Sequence, residues 1–471
     1  MITLKTLLSR WNDTHRVILA NATAIVGTTG MTSVLGVLYW LLAARAFSPT
    51  AVGLAAAALS AMTLLGNVGV LGIGTLLTTE FPRHRGQERS LLSTALLVTG
   101  LAGGVLGFTF AIIGSHLFAN LRALGASGVT VILFALGVSL SALTLVLDDA
   151  LIGLLRSELQ FARNMLFAVA KLGVLLVVGV WVVNRQGMMI YATWAIGNLL
   201  SVAILARYAL AKGPHARTYR PRWGLLRKLG GAALRHHALN LVLQAPSSTL
   251  PLLVAILLST RLTASFYVAW MVAGFVFVGP RALTSVLYAA SAVEPSALGQ
   301  RMRFTLSLAL LIGLMANLVL LVGAEEVLRV FGRTYAEQAG ASLRILALAV
   351  FPLIIKDHYI TVCRLHDRVM NATRLMAGGA ILELLMATAG AVLGGLSGLC
   401  ASWLAVVCLE AVVMCRVVYR AAVPTDTSDT LNTLERSQIP EIGLSPSAIG
   451  SLPLGVEDTI SAARQPIHDQ E

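Results

Sequence analysis

The stretch NMLFAVAKLGVLLVVGVWVV, residues 164–183, fills a span expected over 163–183 and carries one lysine, Lys171. A membrane-spanning helix needs about 20 mostly apolar residues. A run this long, without the short alternation of a barrel strand, reads as helical. Eleven further stretches of the same kind flank it: 19–43, 51–77, 91–118, 127–147, 188–208, 238–259, 264–289, 304–323, 341–356, 372–394 and 396–418. With 57% hydrophobic and 12% charged residues among 471, the chain falls outside the soluble globular range. It reads as an all-α polytopic membrane protein of about twelve transmembrane helices.

The positions of Lys and Arg set the orientation, because cytoplasmic connections are enriched in them. Connections on the N-terminal side of the membrane take twenty-four of the 35 basic residues, and the opposite side takes six: Arg45, Arg122, Arg185, Arg261, Arg329 and Arg333. Both termini are therefore expected in the cytoplasm, with the protein in the inner (cytoplasmic) membrane. Most of the +13 net charge follows from this bias and suits contact with anionic lipid. It does not imply nucleic acid. The four cysteines, Cys363, Cys400, Cys408 and Cys415, lack metal or redox spacing and read as packing residues.

Internal repetition organises the spans. FSPTAVGLAAAALSAM (47–62) and LSTRLTASFYVAWMVA (258–273) each lead from a Ser-started outer turn into a new span, six spans apart. An even offset makes the halves a parallel repeat. The expected divisions are an interfacial amphipathic helix at 1–16, a first lobe at 17–210, a basic cytoplasmic linker at 211–234, a second lobe at 235–420, and an acidic, disordered cytoplasmic tail at 421–471.

FSPTAVGLAAAALSAMTLLGNVGVLGIGTLLTTEFPR (47–83), LDDALIGLLRSELQFARNMLFAVAKLGVLL (147–176) and LNLVLQAPSSTLPLLVAILLSTRLTASFYVAWMV (239–272) resemble bacterial polysaccharide-biosynthesis membrane proteins, the Wzx-type O-antigen and teichoic-acid exporters. The resemblance implies the V-shaped fold of the multidrug/oligosaccharidyl-lipid/polysaccharide exporters, with a cavity lined by the first, second, seventh and eighth helices. It further implies movement of a lipid-linked glycan across the inner membrane, alongside polysaccharide assembly proteins as partners.

Within the spans, ionised side chains carry the functional signal, since each costs roughly 2.5–3.5 kcal/mol at a helix centre unless compensated. Arg281 and Lys171 are expected in the inner half, where a diphosphate headgroup would arrive, and Asn67, Asn240 and Gln244 are candidate cavity-lining partners. An Arg fork matches phosphate oxygens bidentately and Lys meets them as a point charge. Lys171 has a second reading, a structural pair with Asp148 or Asp149 across the neighbouring hairpin. Glu383 and Glu410 are buried acids with either a pairing or a proton-coupling role. No catalytic, metal or cofactor motif is present, and a membrane glycosyltransferase or ligase would need a larger outer loop. A cation-coupled multidrug exporter would want acids on the cavity helices, and a peptidoglycan-precursor flippase shares the basic-cavity logic.

Reporter fusions at Gly213 and in the tail are expected to report the cytoplasm and a fusion at Ser48 the outside. A fusion at Gly213 reporting the outside contradicts the two-lobe scheme.

Overall fold

The computed structural model describes residues 31–81, 86–154, 156–182, 186–211, 223–293 and 295–423. The expected helix at 1–16, residues 212–222 of the expected linker and the tail beyond 423 lie outside them. The local signals for helix entry are plain. Ser48 caps the helix Pro49–Gly69 by accepting from the Ala51 amide at 3.3 Å, with Pro49 at its first position. Ser127 and Thr130 form a reciprocal capping box at the start of Gly128–Gly153.

Among the described residues thirteen helices follow in order: α1 Met31–Ala46, α2 Pro49–Gly69, α3 Ile73–Glu80, α4 Glu88–Leu117, α5 Gly128–Gly153, α6 Ser157–Trp181, α7 Gly187–Ala211, α8 Trp223–Leu257, α9 Thr260–Val293, α10 Leu298–Arg329, α11 Arg333–Leu348, α12 Val350–Leu365 and α13 Val369–Ala422. Ten helices in this set are long and apolar enough to cross a membrane, with α11 and α12 counted as one. The helix α13 is two passes joined by a break at Gly394 and Gly395, and α1 belongs to a further pass, so the described residues account for twelve. Gly395 sits at φ +60°, a left-handed conformation that glycine adopts without steric cost.

Several helices outrun the apolar stretches that announce them. The helix α6 begins at Ser157, six residues before the expected boundary. Lys171 is therefore fourteen residues from that end of the helix, or about 21 Å along it at 1.5 Å per residue. The helix α8 begins at Trp223, inside the segment expected to be linker. The pass expected over 341–356 runs from Arg333 to Leu365, so Lys356 lies well inside it instead of ending it.

Helices α1–α7 and α8–α13 form two six-pass lobes, and α2 of the first packs on α8 and α9 of the second. At the end of the bundle that carries Ser48 this contact is tight. A Cβ on Gly53 would stand 1.6 Å from the Thr260 carbonyl oxygen, so only glycine allows the two backbones to meet. The Trp40 and Tyr267 rings lie 4.5 Å apart, Arg45 donates to the Val330 carbonyl at 2.6 Å, and Asn120 donates to the Ala255 carbonyl at 2.8 Å. Burial falls away along both helices toward the other end: α2 is almost wholly buried from Ala51 to Met62, whereas Arg281, Ala282, Ser285 and Val286 of α9 are exposed. The lobes are thus joined most closely at the Ser48 end.

Gly53→Ala is expected to cost on the order of 1–3 kcal/mol through overpacking, read as a lower melting temperature in detergent. Gly36→Ala, whose added methyl meets nothing within 4 Å, is the control. Equal melting temperatures for the two variants would contradict the contact.

Candidate functional site

Arg281 follows Pro280, which removes a donor from the helical ladder of α9. Its side chain is 64% exposed and its Nε lies 3.6 Å from Asp357 Oδ2 on α12. At that distance the partner offsets the charge without closing a hydrogen bond. Of the described charges near mid-span, Arg281 is the one whose side chain is mostly exposed. Asn240 and Gln244, one turn apart on α8, are exposed as well. Asn67 behaves differently: its side chain turns back to donate to the Thr63 carbonyl at 2.9 Å. Its own carbonyl faces His237 Nε2 of α8 at 2.8 Å. That acceptor is free because α2 ends just beyond it, with Leu71 and Gly72 at positive φ and the Leu71 amide turned to Val68. Asn67 therefore joins α2 to α8 through its backbone.

Lys171 lies elsewhere in the fold. It is 5% exposed and its Nζ stands over three rings, 3.8 Å from the centroid of Trp194, 4.6 Å from Phe167 and 5.1 Å from Tyr39. Tyr39 is fixed in turn by the Ile190 carbonyl at 3.0 Å and the Thr193 hydroxyl at 2.6 Å. Gly197 of α7 gives the lysine stem its room, since a Cβ there would be 3.0 Å from Lys171 Cβ. Ring faces attract a desolvated ammonium by about 2 kcal/mol. This cage is how the chain holds a cation in an apolar span.

The expected pair of Lys171 with Asp148 or Asp149 does not form. Arg163, at the edge of the apolar stretch, lies inside α6 and grips Asp148 through Nε and Nη2, at 2.9 Å and 2.7 Å. Asn164 adds a bond to each partner. Lys171, eight residues farther along and about 12 Å away in rise, is out of reach. Asp149 instead packs on Gly74 at the start of α3, where a Cβ would lie 2.1 Å from its Oδ2.

The second lobe holds a cluster that hydropathy hides. Lys356 of α12 donates to Glu383 at 2.8 Å and to Glu410 at 2.6 Å, on the two halves of α13. Trp403 Nε1 donates to Glu383 at 2.7 Å. The acids were legible as buried charges and the lysine was not, because it read as the end of its span. Beside this cluster His358 meets the Thr305 hydroxyl at 3.2 Å.

No protein-family model and no curated protein sequence matches the chain. Solved structures do match in shape. An inward-facing multidrug resistance MATE family transporter of the MOP superfamily is 15% identical with a TM-score of 0.64, covering 86% of this chain and 96% of that one. An outward-facing MATE family transporter gives 0.57 at 14% identity, over 87% and 96%. A MOP superfamily transporter from Pyrococcus furiosus gives 0.58 at 14% identity, over 86% and 95%; its binding pocket is described as of reverse polarity, suggesting a different function. The fold of the chain is that of MOP superfamily transporters.

Asp148→Asn is expected to lower the yield and melting temperature of the protein, because it leaves Arg163 buried without its counter-ion at a cost on the order of 3–5 kcal/mol. Lys171→Met, which keeps the bulk in the ring cage, should leave both near wild type, and the two changes should combine additively. Recovery of the Asp148→Asn variant by Lys171→Met would contradict the Arg163–Asp148 assignment and show that Lys171 was the partner of Asp148.

Proposed function

We propose that the protein is a flippase that moves a lipid-linked, diphosphate-type oligosaccharide or polysaccharide precursor across the cytoplasmic membrane by alternating access, with both termini in the cytoplasm. The observation that carries this reading is the sign of the exposed charge. Where packing between the lobes loosens, the mostly exposed charged group is the Arg281 guanidinium, with amide side chains on α8 as hydrogen-bonding company, whereas Glu383 and Glu410 are buried on Lys356 and Asp357 is half-buried against Arg281 itself. A cationic fork suits a diphosphate, and amides suit sugar hydroxyls. On this reading Arg281 binds the headgroup, Asn240 and Gln244 face the first sugars, and Lys171 adds positive potential from behind its ring cage. Surrounding lipids and polysaccharide assembly proteins are the expected partners.

A second reading has its own support. Solved proteins of this fold include multidrug transporters, one of them, the MATE transporter DinF-BH, in complex with a small molecule. A multidrug exporter for cationic compounds would, however, place its exposed charge with the opposite sign, since like charges in a low-dielectric cleft repel.

Both readings are tested in proteoliposomes, with an isoprenoid-diphosphate glycan scored for leaflet accessibility beside the efflux of a cationic dye. Wild-type protein is expected to move the glycan and leave the dye. Arg281→Ala should slow glycan movement at least about tenfold, the equivalent of one charge-assisted hydrogen bond at ~1.4 kcal/mol, and Arg281→Lys should recover part of it. Dye efflux without glycan movement would overturn the proposal in favour of the second reading.

A further inference from the structure

The three rings around Lys171 hold one another in place. Trp194 stands edge-on to Tyr39, with centroids 5.9 Å apart at 84°, and edge-on to Phe167, 5.5 Å apart at 72°. Edge-to-face pairs of this kind are a favoured geometry in their own right. Tyr39 is further anchored by its bonds to Ile190 and Thr193, and Trp40 stands edge-on to it at 5.7 Å and 86°. The walls come from α1, α6 and α7, so the packing of the first lobe builds the box and the lysine only fills it. Behind the box, α7 passes close: a Cβ on Gly197 would lie 3.0 Å from Lys171 Cβ and 3.2 Å from Phe167 Cδ2.

The chemistry of the box is narrower than that of its occupant. Among the described residues, the contacts of Lys171 Nζ are the three ring faces, and the acid within its hairpin, Asp148, is held by Arg163. A lysine ammonium carries three N–H donors. Walls made of ring faces suit a cation that has no donor to satisfy, and N-alkylated ammonium ions are the class such cages recognise. Phe167 and Trp194 are half-buried, so two of the walls reach the surface of the bundle and give a small cation an approach.

We propose that Lys171 is the tethered ligand of an organic-cation box in the first lobe, and that by filling it the lysine keeps free ammonium compounds out. Attachment to α6 gives this ligand a local concentration that a dissolved cation cannot match. The lysine is then a specificity determinant that acts by exclusion. Removing its side chain beyond Cβ opens the box to the class of ligand it turns away. This inference concerns the first lobe alone and does not rest on the Arg281 reading.

The test follows the melting temperature of the full chain in detergent, with tetramethylammonium chloride compared with equal sodium chloride and with n-propanol. Wild type is expected not to respond. Lys171→Ala should melt lower and regain on the order of 2 °C or more with saturating tetramethylammonium. Propanol, which fills space without charge, should give no such gain. Lys171→Met keeps the box filled and should not respond, and adding Trp194→Leu to Lys171→Ala should abolish the gain. A Lys171→Ala protein indifferent to tetramethylammonium, or one equally stabilised by propanol, overturns the cation box. A wild type or Lys171→Met protein that responds as Lys171→Ala does overturns the exclusion. Should Lys171→Ala not be obtained folded, its recovery with tetramethylammonium present during solubilisation becomes the readout, and no recovery overturns the proposal.

Discussion

An ionised side chain inside a bilayer has to be compensated, and this molecule uses four means of doing so. Arg163 and Asp148 neutralise one another in a two-armed pair. Lys356 bridges two glutamates. Lys171 is surrounded by ring faces. Arg281 stays mostly exposed, with Asp357 near enough to offset it and too far to close a hydrogen bond. The first arrangement holds one lobe together, and the last leaves a cation available to something else. Sorting the charges this way separates architecture from function more sharply than depth in the membrane does.

The backbone sets where such a cation meets a ligand. Small residues at the Ser48 end let α2 and α9 approach until only glycine fits at position 53, while the same helices lose burial toward the opposite end. There α2 breaks at Leu71 and Gly72, and the carbonyl it releases at Asn67 meets His237 across the lobes. Arg281, Asn240 and Gln244 all lie in the looser region. Packing of two lobes at one end with laxity at the other is the arrangement that a rocking motion requires.

Most of this architecture was legible in the sequence. Twelve apolar stretches gave twelve passes, and the boundary drawn at residue 395 coincides with the left-handed glycine that breaks α13. Hydropathy failed where charge was compensated inside the helix. Arg163 and Lys356 each make an apolar window look finished, so one apolar stretch begins six residues after α6 does and the other ends nine residues before α12 does. The first leaves Arg163 out of the candidate partners of Asp148, and the second conceals the central cation of the second lobe. The ring cage of Lys171 was illegible for another reason: Tyr39 and Trp194 come from other helices far away in sequence, and apolar periodicity cannot say which ring faces which stem.

The central claim is that Arg281 is held exposed for an anion. The most direct measurement is the affinity of purified protein in nanodiscs for a short-chain isoprenyl diphosphate, taken across a range of salt concentrations. Binding should weaken with salt and fall about tenfold or more in Arg281→Ala, while a neutral isoprenol of the same length should bind poorly to both proteins. Equal affinity of wild type and Arg281→Ala for the diphosphate would contradict the account.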